Sequence, residues 1–283
     1  MISDQAKVAI LLATCQGQRY LYDQLESFAS QTHRHWKVWA SDDGSSDDTG
    51  AILEHYQERW SSARLVIQDG PGKGFAANFL SLSCKASIFA DYYAYSDQDD
   101  IWEADKLERA LAWLQSVPSN IPALYCSRTT LIDRNGKKIG LSPLFTKSAS
   151  FANALVQSIG GGNTMVFNNA ARALLREAGE SIPVVTHDWW AYLLVTGCGG
   201  RVFYDASPAL RYRQHENNLV GMNSSWPARI KRIRMLWQGR FKQWNDSNFE
   251  ALRSMQHRFT PANLCTLEQF SSARKMRLPA RLF

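Results

Sequence analysis

The chain has 283 residues, 45% of them apolar, and its formal net charge is +6. This length can bury a full hydrophobic core as one large domain, or as one domain with an appendage. Five scattered cysteines without a Cys-x-x-Cys pair argue against structural zinc and for a reducing compartment, and no stretch approaches the roughly 20 apolar residues that a membrane-spanning helix requires.

The first hundred residues alternate between short apolar runs and amphipathic segments. Strands are predicted at 7–13, 36–40, 64–67 and 92–96, and helices at 21–28, 52–60 and 75–82. This alternation predicts an α/β fold with a mostly parallel sheet and right-handed crossovers.

The middle third is less regular. A helix is predicted over 102–114, strands at 123–127, 164–167 and 201–204, a hairpin turn at 133–136, and a further helix that begins near His187. No internal repeat and no low-complexity segment interrupts this part of the chain.

The chain changes character after Trp226. Residues 226–283 contain 12 Lys and Arg against 3 Asp and Glu, whereas the remaining residues contain 20 against 23. Ile230, Ile233 and Leu236 follow helical spacing, so we divide the chain into a domain at 1–225 and a basic helical extension at 226–283.

A basic extension on a neutral-to-acidic body suggests an anionic partner. Acidic phospholipid would attract it with about 1 kcal/mol per basic residue near the surface. A solvated helical tail is the alternative, and because no nucleic-acid-binding motif accompanies the charge, we expect no nucleic acid partner. The first residues lack the basic start of a secretion signal. The expected location is the cytoplasm, including the inner face of the plasma membrane.

Three polar clusters follow predicted strands. Thr14 ends the first, Asp42 and Asp43 end the second, and residues 97–100 end the fourth. In parallel sheets ligands bind beyond the carboxyl ends of the strands, so these clusters should share one edge.

Residues 97–100 read Asp-Gln-Asp-Asp, which places three carboxylates within four positions. Such carboxylates repel one another, and a divalent cation with hard oxygen ligands offsets the repulsion. An open aspartate cluster suits Mg²⁺ or Mn²⁺ better than zinc. The competing interpretation is an acidic turn that caps the next helix.

Several ordered motifs resemble the inverting nucleotide-sugar glycosyltransferases of family two, which have the GT-A fold. They are the opening at 8–17, Ser-Asp-Asp-Gly-Ser-Ser-Asp at 41–47, Asp-Gln-Asp at 97–99 and His-Asp at 187–188, and the match covers roughly residues 7–221. The resemblance implies a mostly parallel, Rossmann-like sheet flanked by helices, with a helical C-terminal extension.

A narrower resemblance concerns one subgroup. Ser-Asp-Gln-Asp-Asp-Ile-Trp at 96–102, His-Asp-Trp-Trp at 187–190 and Tyr-Arg-Gln-His-Glu-Asn-Asn at 212–218 look most like bacterial rhamnosyltransferases of polysaccharide assembly. Neighbours that use other sugars share parts of these strings.

The resemblance implies donor-binding roles for residues on several segments. The nucleoside pocket would contain Thr14, Asp42 and Asp43, with one aspartate accepting a hydrogen bond from the pyrimidine N3–H. The other residues implied in nucleotide-sugar binding are Lys73, Asn78, Asp97, Gly162, Trp189 and Arg213. Helix capping, a Gly-rich turn and core packing are the alternatives for these positions.

The metal ligands implied by the resemblance are Asp99, Asp97 and His215, for Mg²⁺ or Mn²⁺ bridging the donor diphosphate. The implied base is Asp188, which would take the proton of the acceptor hydroxyl during inversion. The common family pattern has Glu-Asp at this place, and here His187 replaces the glutamate, either sharing proton handling or contacting the acceptor.

The implied reaction is transfer of L-rhamnose from dTDP-L-rhamnose onto a bacterial surface-glycan precursor, such as lipopolysaccharide or O-antigen. The acceptor would be a glycan or a glycolipid. Two alternatives remain open: the same chemistry with a UDP-hexose or UDP-N-acetylhexosamine donor, and a nucleotide-sugar-binding or glycan-binding module without catalysis.

Overall fold

The computed structural model describes residues 5–215 and 240–276. A seven-stranded sheet forms the centre of the chain, with the strands in the order β10-β6-β9-β4-β1-β2-β3. The eleven strands of the described chain are β1 Val8–Thr14, β2 Trp36–Asp42, β3 Leu65–Asp69, β4 Tyr92–Ser96, β5 Ile101–Trp102, β6 Ala123–Ser127, β7 Thr130–Ile132, β8 Lys138–Leu141, β9 Val166–Asn168, β10 Arg201–Asp205 and β11 Leu210–Arg213.

The helices lie between these strands and after the last of them. In chain order they are α1 Leu21–Ala29, α2 Thr49–Trp60, α3 Phe75–Cys84, α4 Lys106–Leu114, α5 Phe151–Ala154, α6 Asn169–Ala178, α7 His187–Gly197, α8 Arg240–Met255 and α9 Pro261–Lys275. Among the helices of the described ranges, none combines the length and the apolar character needed to cross a membrane.

Strand β1 lies at the centre of the sheet and is buried on both faces. Ala9, Leu11 and Ala13 enter one hydrophobic cluster, whereas Ile10 and Leu12 enter the cluster on the opposite face. Successive side chains of a strand point to opposite faces, so only an unbroken apolar run satisfies both clusters. The prediction of a buried parallel strand is confirmed, since β1 pairs in parallel with β2 and with β4.

One strand of the central sheet runs against the others. β9 pairs antiparallel with β4 and with β6, whereas the remaining pairs in this sheet are parallel. A 3-10 turn at Gly162–Thr164 precedes it, so the predicted strand at 164–167 begins at Val166. The prediction of a mostly parallel α/β sheet flanked by helices is confirmed.

A second, smaller sheet has the order β5-β11-β7-β8. The predicted helix at 102–114 is wrong at its start, because Trp102 pairs antiparallel with Leu210 and the helix begins at Lys106. The predicted turn at 133–136 connects β7 and β8, with Gly136 at φ 84°. A positive φ at this position favours glycine.

The described part of the C-terminal extension is helical and packs on the core. Ala251, Leu252 and Met255 of α8, together with Phe259 and Leu267, are buried in the same cluster that contains Trp190 of α7. The helical pattern at Ile230, Ile233 and Leu236 lies outside the described residues.

We expect Leu11→Ala in β1 to lower the free energy of unfolding by about 2–5 kcal/mol, because the substitution leaves a cavity in a fully buried strand. Urea denaturation measures the change. Phe89→Ala is the matched control, since the Phe89 side chain is 80% exposed and its loss should cost no more than about 0.5 kcal/mol. Equal losses in both variants would contradict this placement of β1.

Candidate active site at the carboxyl edge of the sheet

Asp42 is held at the end of β2 by three donors. The register of β1 and β2 places Thr14 opposite Asp42, and Thr14 Oγ1 donates to Asp42 Oδ1 at 2.8 Å. The backbone N and the Oγ of Ser45 donate to the same carboxylate at 2.8 and 2.7 Å. A carboxylate has about four acceptor sites, so roughly one remains for a ligand such as a pyrimidine N3–H.

Asp43 anchors the glycine-rich loop that precedes α3. Its two carboxylate oxygens accept hydrogen bonds from Gly72 N and Gly74 N, each at 2.7 Å. Both glycines have positive φ, at 64° and 87°, and a Cβ at Gly70 would lie 2.7 Å from Asp43 Oδ1. Asp43 therefore fixes the loop that carries the exposed Lys73 at the same edge of the sheet.

Asn78 supports this edge from inside. It is buried, and its Nδ2 donates to Ser41 O at 2.8 Å, immediately before Asp42. The geometry gives Asn78 a supporting contact, and its implied contact with base or ribose stays a prediction.

Gln98 connects the acidic segment to the end of β1. Its Nε2 donates to Cys15 O at 2.8 Å, while its Oε1 accepts from Cys15 N at 2.8 Å. A Cβ at Gly17 would lie 2.3 Å from Gln98 Oε1, so the close approach requires glycine at that position. The central residue of Asp-Gln-Asp thus fixes the direction of the two aspartates beside it.

Asp99 and His215 lie together, and their assignment to a metal site stays a prediction. His215 Nε2 lies 2.7 Å from Asp99 Oδ2, and both side chains are less than one fifth exposed. The imidazole ring packs on Tyr20 with the ring centroids 5.2 Å apart. In this pair a carboxylate oxygen and an imidazole nitrogen lie within hydrogen-bonding distance of each other.

Asp100 turns away from Asp99 into the protein. It is fully buried, and it accepts hydrogen bonds from Asn163 Nδ2 at 2.5 Å and from Arg213 N at 3.1 Å. Burial raises the pKa of Asp100 well above its usual value, and the charges of Asp99 and Asp97 add to the effect. Asp100 is therefore a structural carboxylate and does not face a ligand.

Arg213 lies beneath the acidic segment. Its guanidinium donates to Asp99 O at 3.0 Å and to Asp23 Oδ2 at 2.8 Å, and it lies 4.5 Å from the centroid of the Tyr20 ring. With only 2% of its surface exposed, Arg213 supports the backbone of Asp99. The implied contact with donor phosphate stays a prediction, and this geometry does not favour it.

Lys106 is a buried lysine that the sequence pattern did not single out. Its Nζ donates to Asn163 O at 2.5 Å and lies 3.3 Å from the centroid of the Trp102 ring. Burial lowers its pKa well below the usual value, while Asp100 and Asp97 act in the opposite direction. The lysine precedes amphipathic helix residues and therefore looks in sequence like part of a solvated face.

Asp97 is the aspartate that links the acidic segment to α7. Burial raises the pKa of Asp97 to about 7, with further contributions from the charges of Asp99 and Asp188, and Lys106 opposes the shift. The charges of Asp99 and Asp188 thus both act on Asp97, and a cation beside Asp97 would relieve this repulsion.

Asp188 lies in the first turn of α7. Thr186 is the N-cap residue of this helix, so Asp188 is not its cap. Asp188 Oδ1 accepts a hydrogen bond from Trp189 N at 2.8 Å, which orients the half-buried carboxylate. A Cβ at Gly162 would lie 3.3 Å from Asp188 Cβ, so the implied donor-binding Gly162 and the implied base are adjacent.

His187 faces the core. Its ring stacks on Phe79 with the centroids 3.8 Å apart and meets Tyr95 edge-on at 4.7 Å. A Cβ at Gly162 would lie 2.3 Å from His187 Nε2, and no group in the described part of the chain hydrogen-bonds either ring nitrogen. Burial lowers the pKa of His187 to about 4, so it is neutral at pH 7 and is poorly suited to share proton handling.

The tryptophans after Asp188 are core residues. Trp189 is 7% exposed and its Nε1 donates to Ala154 O at 2.6 Å, whereas Trp190 is fully buried. The implied role of Trp189 in nucleotide-sugar binding stays a prediction, and its buried position does not favour it.

Metal-binding geometry is incomplete in the protein alone. Within residues 5–215 and 240–276, no group of three His, Cys, Asp or Glu side chains is arranged to hold a metal ion. The residues that fit a cation are the pair Asp99 and His215, with Asp97 next to them in electrostatic reach.

We expect the stability of the protein to depend on pH through His187. The pKa of His187 in the folded protein, about 4, lies below the ordinary value of 6.5. The stability that depends on a neutral His187 is therefore fully present above pH 6.5 and is lost as the pH falls towards 4. His187→Gln should remove about 3 kcal/mol of this pH dependence. Chemical denaturation from pH 7 to pH 4 measures it, with the exposed His55→Gln as control. Parallel pH profiles for wild type and His187→Gln would contradict the prediction.

Known proteins resemble this chain in sequence. The model of glycosyl transferase family 2 matches residues 9–178, which is more than half of the chain. The dTDP-rhamnosyl transferase RfbG of Shigella flexneri is 28% identical over 238 residues, which cover 78% of this chain and 78% of that protein.

Solved structures show the same fold. The mannosyltransferase PcManGT from Pyrobaculum calidifontis, in complex with GDP-Man and Mn²⁺, superimposes with a TM-score of 0.56 at 17% identity, covering 98% of this chain and 77% of that chain. S. aureus TarS 1-349 in complex with UDP-GlcNAc gives a TM-score of 0.55 at 18% identity, covering 78% of this chain but only 61% of the TarS chain. On these grounds the chain belongs to glycosyl transferase family 2 and is a glycosyltransferase with the GT-A fold.

Proposed function

We propose that the protein is a metal-dependent inverting glycosyltransferase that moves L-rhamnose from dTDP-L-rhamnose onto a bacterial surface-glycan precursor. The observation that carries the proposal is the 2.7 Å pair of Asp99 and His215 in the acidic segment, with Asp188 near enough for its charge to act on Asp97 of the same segment. The choice of sugar is supported by the 28% identity to a dTDP-rhamnosyl transferase over most of both chains.

Asp188 is the proposed catalytic base. Inversion requires a carboxylate that removes the proton from the acceptor hydroxyl while its oxygen attacks the anomeric carbon opposite the leaving diphosphate. The hydrogen bond from Trp189 N orients the carboxylate, and Gly162 packs against Asp188, where a Cβ would lie 3.3 Å from Asp188 Cβ. From a β-linked donor this chemistry gives an α-linked rhamnoside.

Asp42 is the residue that we propose binds the nucleobase of the donor, because hydrogen bonds from Thr14 and Ser45 fix its position at the end of β2. The loop anchored by Asp43 would form the adjoining wall, with Lys73 exposed on it. In this arrangement the donor spans from the end of β2 to the acidic segment after β4, where its diphosphate lies next to Asp99.

Asp99 and His215 are the proposed protein ligands of Mg²⁺ or Mn²⁺. Their donor atoms are 2.7 Å apart, close to the roughly 3.0 Å between neighbouring ligands of an octahedral ion with bonds of about 2.1 Å. Water and donor phosphate supply the remaining ligands of such ions. When bound, the cation would neutralise charge on the departing diphosphate.

We expect Asp188→Asn to lower the turnover number by about 10²–10⁴-fold, because the amide cannot accept the proton. Donor affinity, measured by calorimetry with the nucleoside diphosphate, should change less than about threefold. Asp48→Asn, at an exposed position before α2, is the control and should keep full activity. Unchanged turnover in Asp188→Asn would remove this residue as the base.

The donor is tested by diphosphate release from dTDP-L-rhamnose, UDP-glucose and UDP-N-acetylglucosamine in the presence of Mn²⁺ or Mg²⁺. Fastest release from dTDP-L-rhamnose is the expected result. Faster release from a UDP-sugar would overturn the proposed donor but keep the reaction, whereas binding without release from any donor would indicate a non-catalytic module.

We expect His215→Ala to weaken Mn²⁺ binding at least tenfold in the presence of dTDP, because it removes one of two protein ligands. Electron paramagnetic resonance of free Mn²⁺ measures the affinity without turnover. His35→Ala, which removes an exposed imidazole before β2, is the control. Equal Mn²⁺ affinity in the wild type and His215→Ala would remove His215 as a ligand.

A further inference from the structure

The hairpin of β7 and β8 and the loop after it form an exposed basic and apolar surface. We define the hairpin surface as residues 133–147. Three large aliphatic side chains are exposed within six residues of it: Ile139 is 57%, Leu141 is 40% and Leu144 is 47% exposed. Ile139 and Leu141 are two residues apart in a strand, so their side chains point to the same side.

The charge of the hairpin surface is of one sign. Arg134, Lys137, Lys138 and Lys147 are all exposed, and the single acidic residue is Asp133. The Asp133 carboxylate accepts hydrogen bonds from the backbone N of Asn135 and of Lys137, both at 2.9 Å. The carboxylate therefore serves the turn, and the surface carries a net charge of about +3 next to its apolar side chains.

From this combination we infer that the hairpin surface docks the protein on an anionic lipid membrane. Basic residues close to exposed aliphatic side chains match a bilayer interface, where the aliphatic groups enter the acyl boundary and the cations meet acidic headgroups. The inference does not depend on which sugar the enzyme transfers.

A second copy of the chain fits this surface less well. β8 is an edge strand, which pairs with β7 on one side only in the described sheet. Exposed lysines on an edge strand oppose strand-to-strand association, because two copies would bring like charges together. Lys138 is the first residue of β8 and Lys137 directly precedes it, so both lie at the edge where a second strand would pair.

The position of the hairpin relative to the candidate site is favourable for a membrane-bound acceptor. β7 pairs with β11, whose end leads to His215, and Arg213 Nη1 donates to Arg134 O at 3.3 Å. Docking through the hairpin would thus hold the metal-binding segment near the bilayer surface, where an acceptor attached to lipid is found.

Co-sedimentation of the full chain with vesicles of phosphatidylcholine, with and without 30% phosphatidylglycerol, tests the inference. The wild type should bind the anionic vesicles and release them at high salt. The double variant Lys137→Gln/Lys138→Gln should bind roughly 10–30-fold more weakly, given the attraction of each basic residue to an anionic surface. Ile139→Ser/Leu141→Ser tests the aliphatic part separately and should also weaken binding at least fivefold.

Matched controls are available on other faces. Arg176→Gln/Arg201→Gln removes the same number of exposed charges, and Phe89→Ser removes an exposed apolar side chain. These should bind vesicles as the wild type does, and all variants should keep the wild-type melting temperature and diphosphate release in solution.

Several results would overturn the inference. One is that the wild-type protein binds neither kind of vesicle, or binds both kinds equally. Another is that the hairpin variants bind the anionic vesicles as well as the control variants do. Sedimentation velocity adds a further test: if the hairpin variants dissociate a dimer while vesicle binding is unchanged, the surface is an interface between copies and the membrane assignment is wrong.

Discussion

The site depends on how the protein divides the three acidic side chains of residues 97–100 between its interior and the carboxyl edge of the sheet. Asp100 enters the core, where Asn163 and the backbone of Arg213 donate to it, and the buried Lys106 lies close by. Gln98 is fixed to the end of β1 through both atoms of its amide. Because these contacts fix Gln98 and Asp100, they also restrict the backbone at Asp97 and Asp99, whose like charges repel each other.

This division explains why distant segments meet at the carboxyl edge of the sheet. Asn163, which donates to Asp100, follows Gly162, and Gly162 lies against Asp188. Arg213 supports the backbone of Asp99 and stands two residues before His215, the partner of Asp99. The same interior contacts that hold the acidic segment therefore bring the proposed base and the proposed second metal ligand to it, from chain positions about 90 and 115 residues away.

The sheet and the edge that carries the candidate site could be predicted from the sequence. Buried parallel strands are unbroken apolar runs, and polar clusters at their carboxyl ends lie at one edge of the sheet. The sequence did not determine which way individual side chains point. Trp189 had two interpretations, donor binding and core packing, and its burial favours packing, which the sequence pattern alone does not distinguish. Arg213 was assigned to the donor, whereas its contacts support the backbone of Asp99, and Lys106 was not singled out at all. Both are buried, and a buried basic residue is recognisable only when its partners, here on distant segments, are known.

The most direct test of this division is a crystal structure with Mn²⁺ and dTDP, with the anomalous signal of manganese used to locate the cation. The account predicts one Mn²⁺ about 2.1 Å from an oxygen of Asp99 and a nitrogen of His215, diphosphate oxygens completing its coordination, and Asp100 still bonded to Asn163. A cation bound to Asp100, or a nucleotide that contacts neither Asp42 nor the acidic segment, would contradict it.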